Sequence, residues 1–423
     1  RPHPATPVTR KAVVAVLELS IIAAMLFALE WSHPGFLPVV CSAPESVAEC
    51  ASGPVAVTMV LLAALFLLAL HSRRALAACQ RTARDEASRK HEVAWELMAM
   101  RNSAMHSNES VRVGRSFKPQ PSDVFVVTYP KCGTTWVTQI LHALRTAGSM
   151  DFGEITEVVP WDILAHDCGQ SLDAAQVATP RLFKSHESAS DVAKGARYVY
   201  VARNPLDAFV SFHRFLPAYT GLQPGDISAE QFAEAIFAGA SHSGQIWDHM
   251  RGWWERRDDP NVLWLFFEDL ADDLPRSVAR IAAWMGVPCD APLLETVCAR
   301  SSFEFMAAEA NAHHFDDHFV RDHVGPKMGL RPGQKSAVSK VRAGGGKTGS
   351  RAALPATVTA RLDAKWAAQL APATGCAGYE ELRASMAAYL ARPAPAPSGS
   401  ATGGSAAASV PVRRAAKSPA RRR

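Results

Sequence analysis

Lys131, Cys132, Gly133, Thr134, Thr135 and Trp136 follow one another in the chain, bringing a full positive charge, a glycine and two hydroxyls together. Those residue types suit a phosphate or a sulfate. Before them, Val124–Thr128 is a β-branched and aromatic run that reads as a buried strand, and the chain then turns through Pro130 and Gly133. After the glycine, Trp136, Val137, Ile140, Leu141 and Leu144 fall on one helical face, which puts Thr134 and Thr135 near a helix N-terminus. Free N–H groups and the positive end of the helix dipole face outward there, so the loop reads as an oxyanion cradle. It is not a Walker A loop, because Gly-x4-Gly-Lys-Ser/Thr is absent and the lysine precedes the glycine. Taken alone, the stretch also admits a purely structural βα turn.

Two further segments carry groups that could act on a bound anion. Arg181-Leu-Phe-Lys-Ser-His186 reads as a short strand that delivers Lys184 and His186. A histidine at a strand end is by itself as readily structural or solvated, but the carboxyl end of a neighbouring parallel strand is where such a sheet builds its active site. A near-neutral imidazole can take a proton from an attacking hydroxyl. Arg197–Ala202 is another strand, and Pro205 then opens a helix. Arg203 at the strand end and Ser211 two turns into that helix can converge on one phosphate, the arginine offering a planar fork.

Thr128-Tyr-Pro-Lys-Cys-Gly-Thr-Thr-Trp136 resembles the phosphosulfate-binding loop of the sulfotransferases, Thr-Tyr-Pro-Lys-Ser-Gly-Thr-Thr-Trp, departing from it only at Cys132. The resemblance implies that residues 131–135 wrap the 5′-phosphosulfate of 3′-phosphoadenosine 5′-phosphosulfate and that Trp136 stacks on its adenine. Lys-Ser-His186 is similar to the family's Lys-Thr-His, which implies His186 as general base and Lys184 beside the transferring group. Tyr200-Val-Ala-Arg-Asn-Pro-Leu-Asp-Ala-Phe-Val-Ser211 resembles the segment that holds the 3′-phosphate through its arginine and serine, here Arg203 and Ser211. Ser301-Ser-Phe-Glu-Phe-Met306 resembles Thr-Ser-Phe-x-x-Met, whose phenylalanine, here Phe303, faces the tryptophan across the adenine. Asp162, after Pro160-Trp161, falls where the family borders its acceptor pocket, with no catalytic role implied. The lid is the poorest match. The family's Arg-Lys-Gly-x-x-Gly-Asp-Trp-Lys keeps only Arg342 and Gly344 here, with Ala343 in place of the lysine and Lys347 as a substitute charge. The family's dimer motif is not reproduced around Thr357 and Val358, which leaves the oligomeric state open.

With 423 residues and 48% hydrophobic composition, the chain can bury one large or two medium cores. Its net charge of +5 is concentrated in the last 11 residues, which hold six basic groups and no acid. The rest is close to neutral, so no nucleic-acid partner is expected. Residues 12–28 are apolar apart from Glu18 and Ser20, and residues 50–72 contain no charged side chain. Each approaches the roughly 20 residues that cross a bilayer, Glu18 making the first the weaker span. Arg10 and Lys11 precede the first, Arg73 and Arg74 follow the second, and residues 31–49 between them carry no Lys or Arg. Both ends are therefore expected on the cytoplasmic side. Cys41 and Cys50 lie in or beside the outer loop and could pair there, while the other cysteines are scattered without metal-ligand spacing, and no metal is implied. The chain begins at Arg1 and not at Met, as a fragment would.

The expected fold class is α/β, a three-layer P-loop-like fold with a central parallel sheet flanked by helices, plus N-terminal transmembrane helices. The expected organisation is a membrane anchor over residues 1–74, a helical linker over 75–118, a sulfotransferase domain over 119–391 and a disordered basic tail over 392–423. Residues 262–270 are expected as a strand with Glu268 and Asp269 at its end pointing opposite ways, a structural cap and not a catalytic pair. Residues 277–285 are expected as a helix stopped by Gly286. The implied activity is sulfuryl transfer from the nucleotide donor to a hydroxyl or amine acceptor, which is a small molecule, a lipid or a glycan. A nucleotide kinase would need a Walker A loop, and a catalytically weak nucleotide-binding membrane scaffold would have no use for Lys131, His186, Arg203 and Ser211 together.

Overall fold

The computed structural model describes residues 54–390 apart from 238, 240, 335, 337 and 342–349. The first expected span, the loop after it, the basic tail, and Arg342, Gly344 and Lys347 of the lid lie outside the described residues. Two compact units divide at residue 90. In the first, the apolar residues after Pro54 begin a helix that runs without a break to Ser103. A span and a separate charged helix were expected, but no glycine or proline occurs between Pro54 and Ser103 to interrupt the backbone ladder. One stretch of this helix, Leu61–Ala83, is long and apolar enough to cross a membrane, and Phe66, Leu67 and Leu68 are exposed on it.

The second unit is built on four parallel strands, β1 (Val124–Thr128), β2 (Leu182–Ser185), β3 (Arg197–Ala202) and β4 (Val262–Phe266), in the order β2-β1-β3-β4. Every residue in them is buried, because helices cover both faces. Strand alternation sorts the side chains into two cores. Val124, Val126, Leu182, Val199, Val201, Leu263 and Leu265 pack on one face with the helices Thr134–Arg145 and Leu274–Met285. Phe125, Phe183, Tyr198, Tyr200, Trp264 and Phe266 pack on the other with Trp247 and Trp253 of the helix Ile246–Trp254. The result is a three-layer α/β sandwich. From β1 the chain goes first to β2 on one side and then to β3 on the other, which opens a crevice at the carboxyl ends of the strands.

Two boundaries differ from expectation. The strand expected over 262–270 stops at Phe266, and Phe267–Asp272 is a helix. Glu268 and Asp269 thus sit in a helical first turn, where negative charge complements the dipole. Glu268 is buried and accepts the Asn204 N–H at 3.1 Å and the Tyr379 hydroxyl, while Asp269 accepts from Arg383 at 2.7 Å. Both brace the sheet edge, a structural role as expected, although on a helix. The helix expected from 277 starts at Leu274, where the Asp273 carboxylate caps the Arg276 N–H, and it ends at Gly286 with a φ of 74°.

Candidate functional site

All four strands deliver a side chain to the crevice just past their carboxyl ends: Lys131 after β1, His186 after β2, Arg203 after β3 and Phe267 after β4. The β1 loop is wound tightly, since Lys131 and Gly133 both have left-handed backbones, with φ of 69° and 96°. Gly133 is required twice over: a Cβ there would sit 2.8 Å from Cδ2 of Phe267. No side chain caps the helix that starts at Thr134, so its first N–H groups remain available to an anion at the dipole's positive end. Below them, the hydroxyls of Thr134 and Thr128 are 2.5 Å apart.

The loop is held from its flanks by groups that also line the cavity. Nη1 of Arg203 donates to the Lys131 carbonyl at 2.7 Å, and its guanidinium stacks 4.1 Å from the centre of the Phe267 ring. The Lys131 ammonium lies 3.7 Å over Phe215. Trp136 donates its indole N–H to the Ser301 carbonyl at 2.7 Å and meets Phe267 edge-on at 5.4 Å. Phe303 opens the short helix Phe303–Ala307, which Ser302 caps. Cys132 is the exception in this loop. Its side chain is 1% exposed and packs into the aromatic core, where burial pushes the thiol up to about 12. What it can offer a ligand is backbone.

His186 is buried 5.0 Å from the ring centre of Trp161, and its Nδ1 lies 2.8 Å from the Thr128 carbonyl. A carbonyl only accepts, so Nδ1 carries the hydrogen and Nε2 is left with the lone pair. Burial, with the nearby Lys184 second, holds the imidazole well below its ordinary range and therefore neutral near pH 7. Lys184 stretches over Trp161 at 3.7 Å, and burial brings its ammonium down to about 8.

A cavity of about 740 Å³ joins these groups. Lys131, Gly133, Thr134, Thr135, Trp136, Lys184, His186, Arg203, Ser211 and Phe303 all line it. Asp162 is buried behind the wall, accepting the Ile163 N–H at 2.8 Å, and burial raises its carboxyl to about 8. Sequence reasoning missed Phe267, Phe215, Asp317, Lys340 and the stacked pair His106 and His242. Phe267 had a signal, since it sits at the tip of a recognisable strand. Phe215 lies near the end of the helix Pro205–Tyr219, while His106, His242, Asp317 and Lys340 come from irregular segments without periodicity.

Residues 121–325 match the sequence model of the sulfotransferase domain. The chain is similar to sulfotransferase 1C2 of Homo sapiens, 29% identical over 203 residues that make up 45% of this chain and 68% of that protein. It is also similar to the amine sulfotransferase of Oryctolagus cuniculus, 31% identical over 196 residues, 45% of this chain and 64% of that protein. Among solved structures, retinol dehydratase in a complex with retinol and PAP aligns at 21% identity with a TM-score of 0.48, covering 63% of this chain and 86% of that one.

Proposed function

We propose that the chain, whose residues 121–325 match the sulfotransferase domain, acts as a sulfotransferase and moves a sulfuryl group from 3′-phosphoadenosine 5′-phosphosulfate to a hydroxyl or amine acceptor. The observation that carries this reading is the neutral His186, with Nε2 as its free base, in one cavity with an uncapped helix N-terminus. Nε2 takes the acceptor's proton as the acceptor oxygen or nitrogen bonds to sulfur. The bond from sulfur to the 5′-phosphate oxygen breaks, and 3′-phosphoadenosine 5′-phosphate leaves. Lys131 is suited to the charge growing on that phosphate, and the N–H groups of Gly133, Thr134 and Thr135 to the oxygens of the donor. Arg203 and Ser211 would take the 3′-phosphate, with Trp136 and Phe303 against the adenine. Lys184 adds charge at the transferring group.

The apolar half of the cavity, with Trp161, Phe215 and Tyr219, supports a small-molecule or lipid acceptor over a glycan. Sulfur-labelled donor offered with phenols, steroids, long-chain alcohols and amines tests the assignment. Label is expected on an apolar hydroxyl or amine compound. Donor binding without transfer to any of these classes would leave a nucleotide-binding scaffold.

We also propose that the helix beginning at Pro54 anchors the domain in a membrane, as the second of two spans, with the catalytic domain on the cytoplasmic side. Its exposed Phe66, Leu67 and Leu68 and its uncharged run up to Ser72 support this. In sealed microsomes, protease added outside is expected to digest the domain containing His186. Protection of that domain would reverse the orientation, and recovery of the protein in the soluble fraction would remove the anchor.

A further inference from the structure

Asp317 sits between the 3-10 turn Ala312–Phe315 and the helix His318–Val324, in a left-handed backbone with a φ of 64°. It is 3% exposed, yet it lines the cavity together with His186. Its Oδ1 accepts from the Lys340 ammonium and lies 3.9 Å from Nζ of Lys184. One carboxylate oxygen thus serves two lysines from distant parts of the chain, both facing the cavity. Two ammonium groups gathered around one oxygen repel each other, and the buried Lys184 is poorly solvated besides. An acid between them offsets that repulsion.

We propose that Asp317 is a positioning residue for sulfuryl transfer, bridging Lys184 and Lys340 so that two cations are held at the wall beside His186. The proposal rests on the transfer reading above. With Asp317 offsetting part of the charge of the two ammoniums, positive charge remains at this wall for the sulfonate in transit.

The charged and titratable groups acting on Lys184 come from several elements. After burial, Lys340 pulls its ammonium down, while Asp317, Glu154 and Asp162 raise it, and His186 adjoins it. Glu154 is fully buried and is itself raised to about 7, first by burial and then by Asp317. Burial would raise the Asp317 carboxyl, but Lys340 and then Lys184 override it and hold it well below the usual range. Asp317 is therefore a carboxylate at every working pH.

The two partners of Lys184 predict opposite shifts. Asp317→Asn removes the charge that keeps Lys184 protonated, so the alkaline limb of kcat/KM, near pH 8 in the unaltered protein, should move to lower pH. Lys340→Met removes a like charge, so the same limb should move to higher pH. At pH 7.5, Asp317→Asn should lower kcat about 10- to 100-fold by misplacing Lys184, with the KM for donor changed less than about threefold, and Asp317→Glu should restore part of the loss. The Lys184 ammonium is also titrated by NMR in donor-free protein, so its shifts can be read whether or not transfer occurs. Opposite displacements in the two variants support the bridge. Shifts in one direction, or none, overturn it, and Lys340→Met keeps the test decisive if Asp317→Asn does not fold.

Discussion

Replacing His186 with alanine is expected to lower sulfuryl transfer by about 10²–10⁴-fold, the usual contribution of a general base, while the nucleotide donor still binds within a few-fold. The expectation follows from which nitrogen is free. Nδ1 is committed to the Thr128 carbonyl at 2.8 Å, so only Nε2 can receive a proton from an acceptor. Because burial holds the imidazole well below its ordinary range, it stays deprotonated as pH falls through 6.5, and kcat should show no acid limb there. Lys184 is expected to set the other side of the profile: burial brings its ammonium down to about 8, and activity should fade as pH rises through that value.

Alanine also leaves the buried Thr128 carbonyl without its imidazole partner, which on general grounds destabilises the fold by about 1–3 kcal/mol. His186→Asn separates that effect from catalysis. Its side-chain amide can donate to Thr128 from about the place of Nδ1, but it offers no base at the place of Nε2. The two variants should differ in thermal stability and agree in being nearly inactive. Turnover near normal at saturating acceptor in either one would remove His186 from the mechanism.

The parts of this site that were legible in the sequence are those on regular elements. Arg197–Ala202 reads as a strand from its apolar and aromatic run, and its end fixes where Arg203 emerges. The apolar face after Gly133 gives the helix whose N-terminus forms the cradle. Cys132, the one departure in that motif, faces the core, so its side chain is answerable to packing and not to a ligand. Asp317 and Lys340 were invisible for the converse reason. They meet 23 positions apart in the chain, and the described residues between them hold one short helix, His318–Val324, and turns, too little regular structure for a 3.6-residue or 2-residue period to place them. Phe267 was misread because the apolar run of β4 continues smoothly into the next helix. Only the tertiary packing of Gly133, Trp136 and Arg203 around its ring shows its place.

Arg203→Ala should weaken binding of 3′-phosphoadenosine 5′-phosphate by about 10- to 150-fold, the equivalent of losing a charge-assisted pair at roughly 1.5–3 kcal/mol. A nucleotide without the 3′-phosphate should lose much less. The contrast matters because Arg203 has a structural duty beside the proposed one. Its Nη1 already braces the Lys131 carbonyl and its plane rests on Phe267, so removing it also loosens the loop that would grip the 5′-end of the donor. That loosening acts on both nucleotides alike. Only the excess loss for the 3′-phosphorylated one reports contact with that phosphate. Arg203→Lys refines the comparison, since it keeps the charge while giving up the planar fork and the stacking, and it should fall between wild type and alanine. Isothermal titration of both nucleotides against the three proteins measures the difference directly. Equal losses for the two nucleotides would make Arg203 a brace for the loop and send the search for the 3′-phosphate partner elsewhere along the cavity wall, beginning with Ser211.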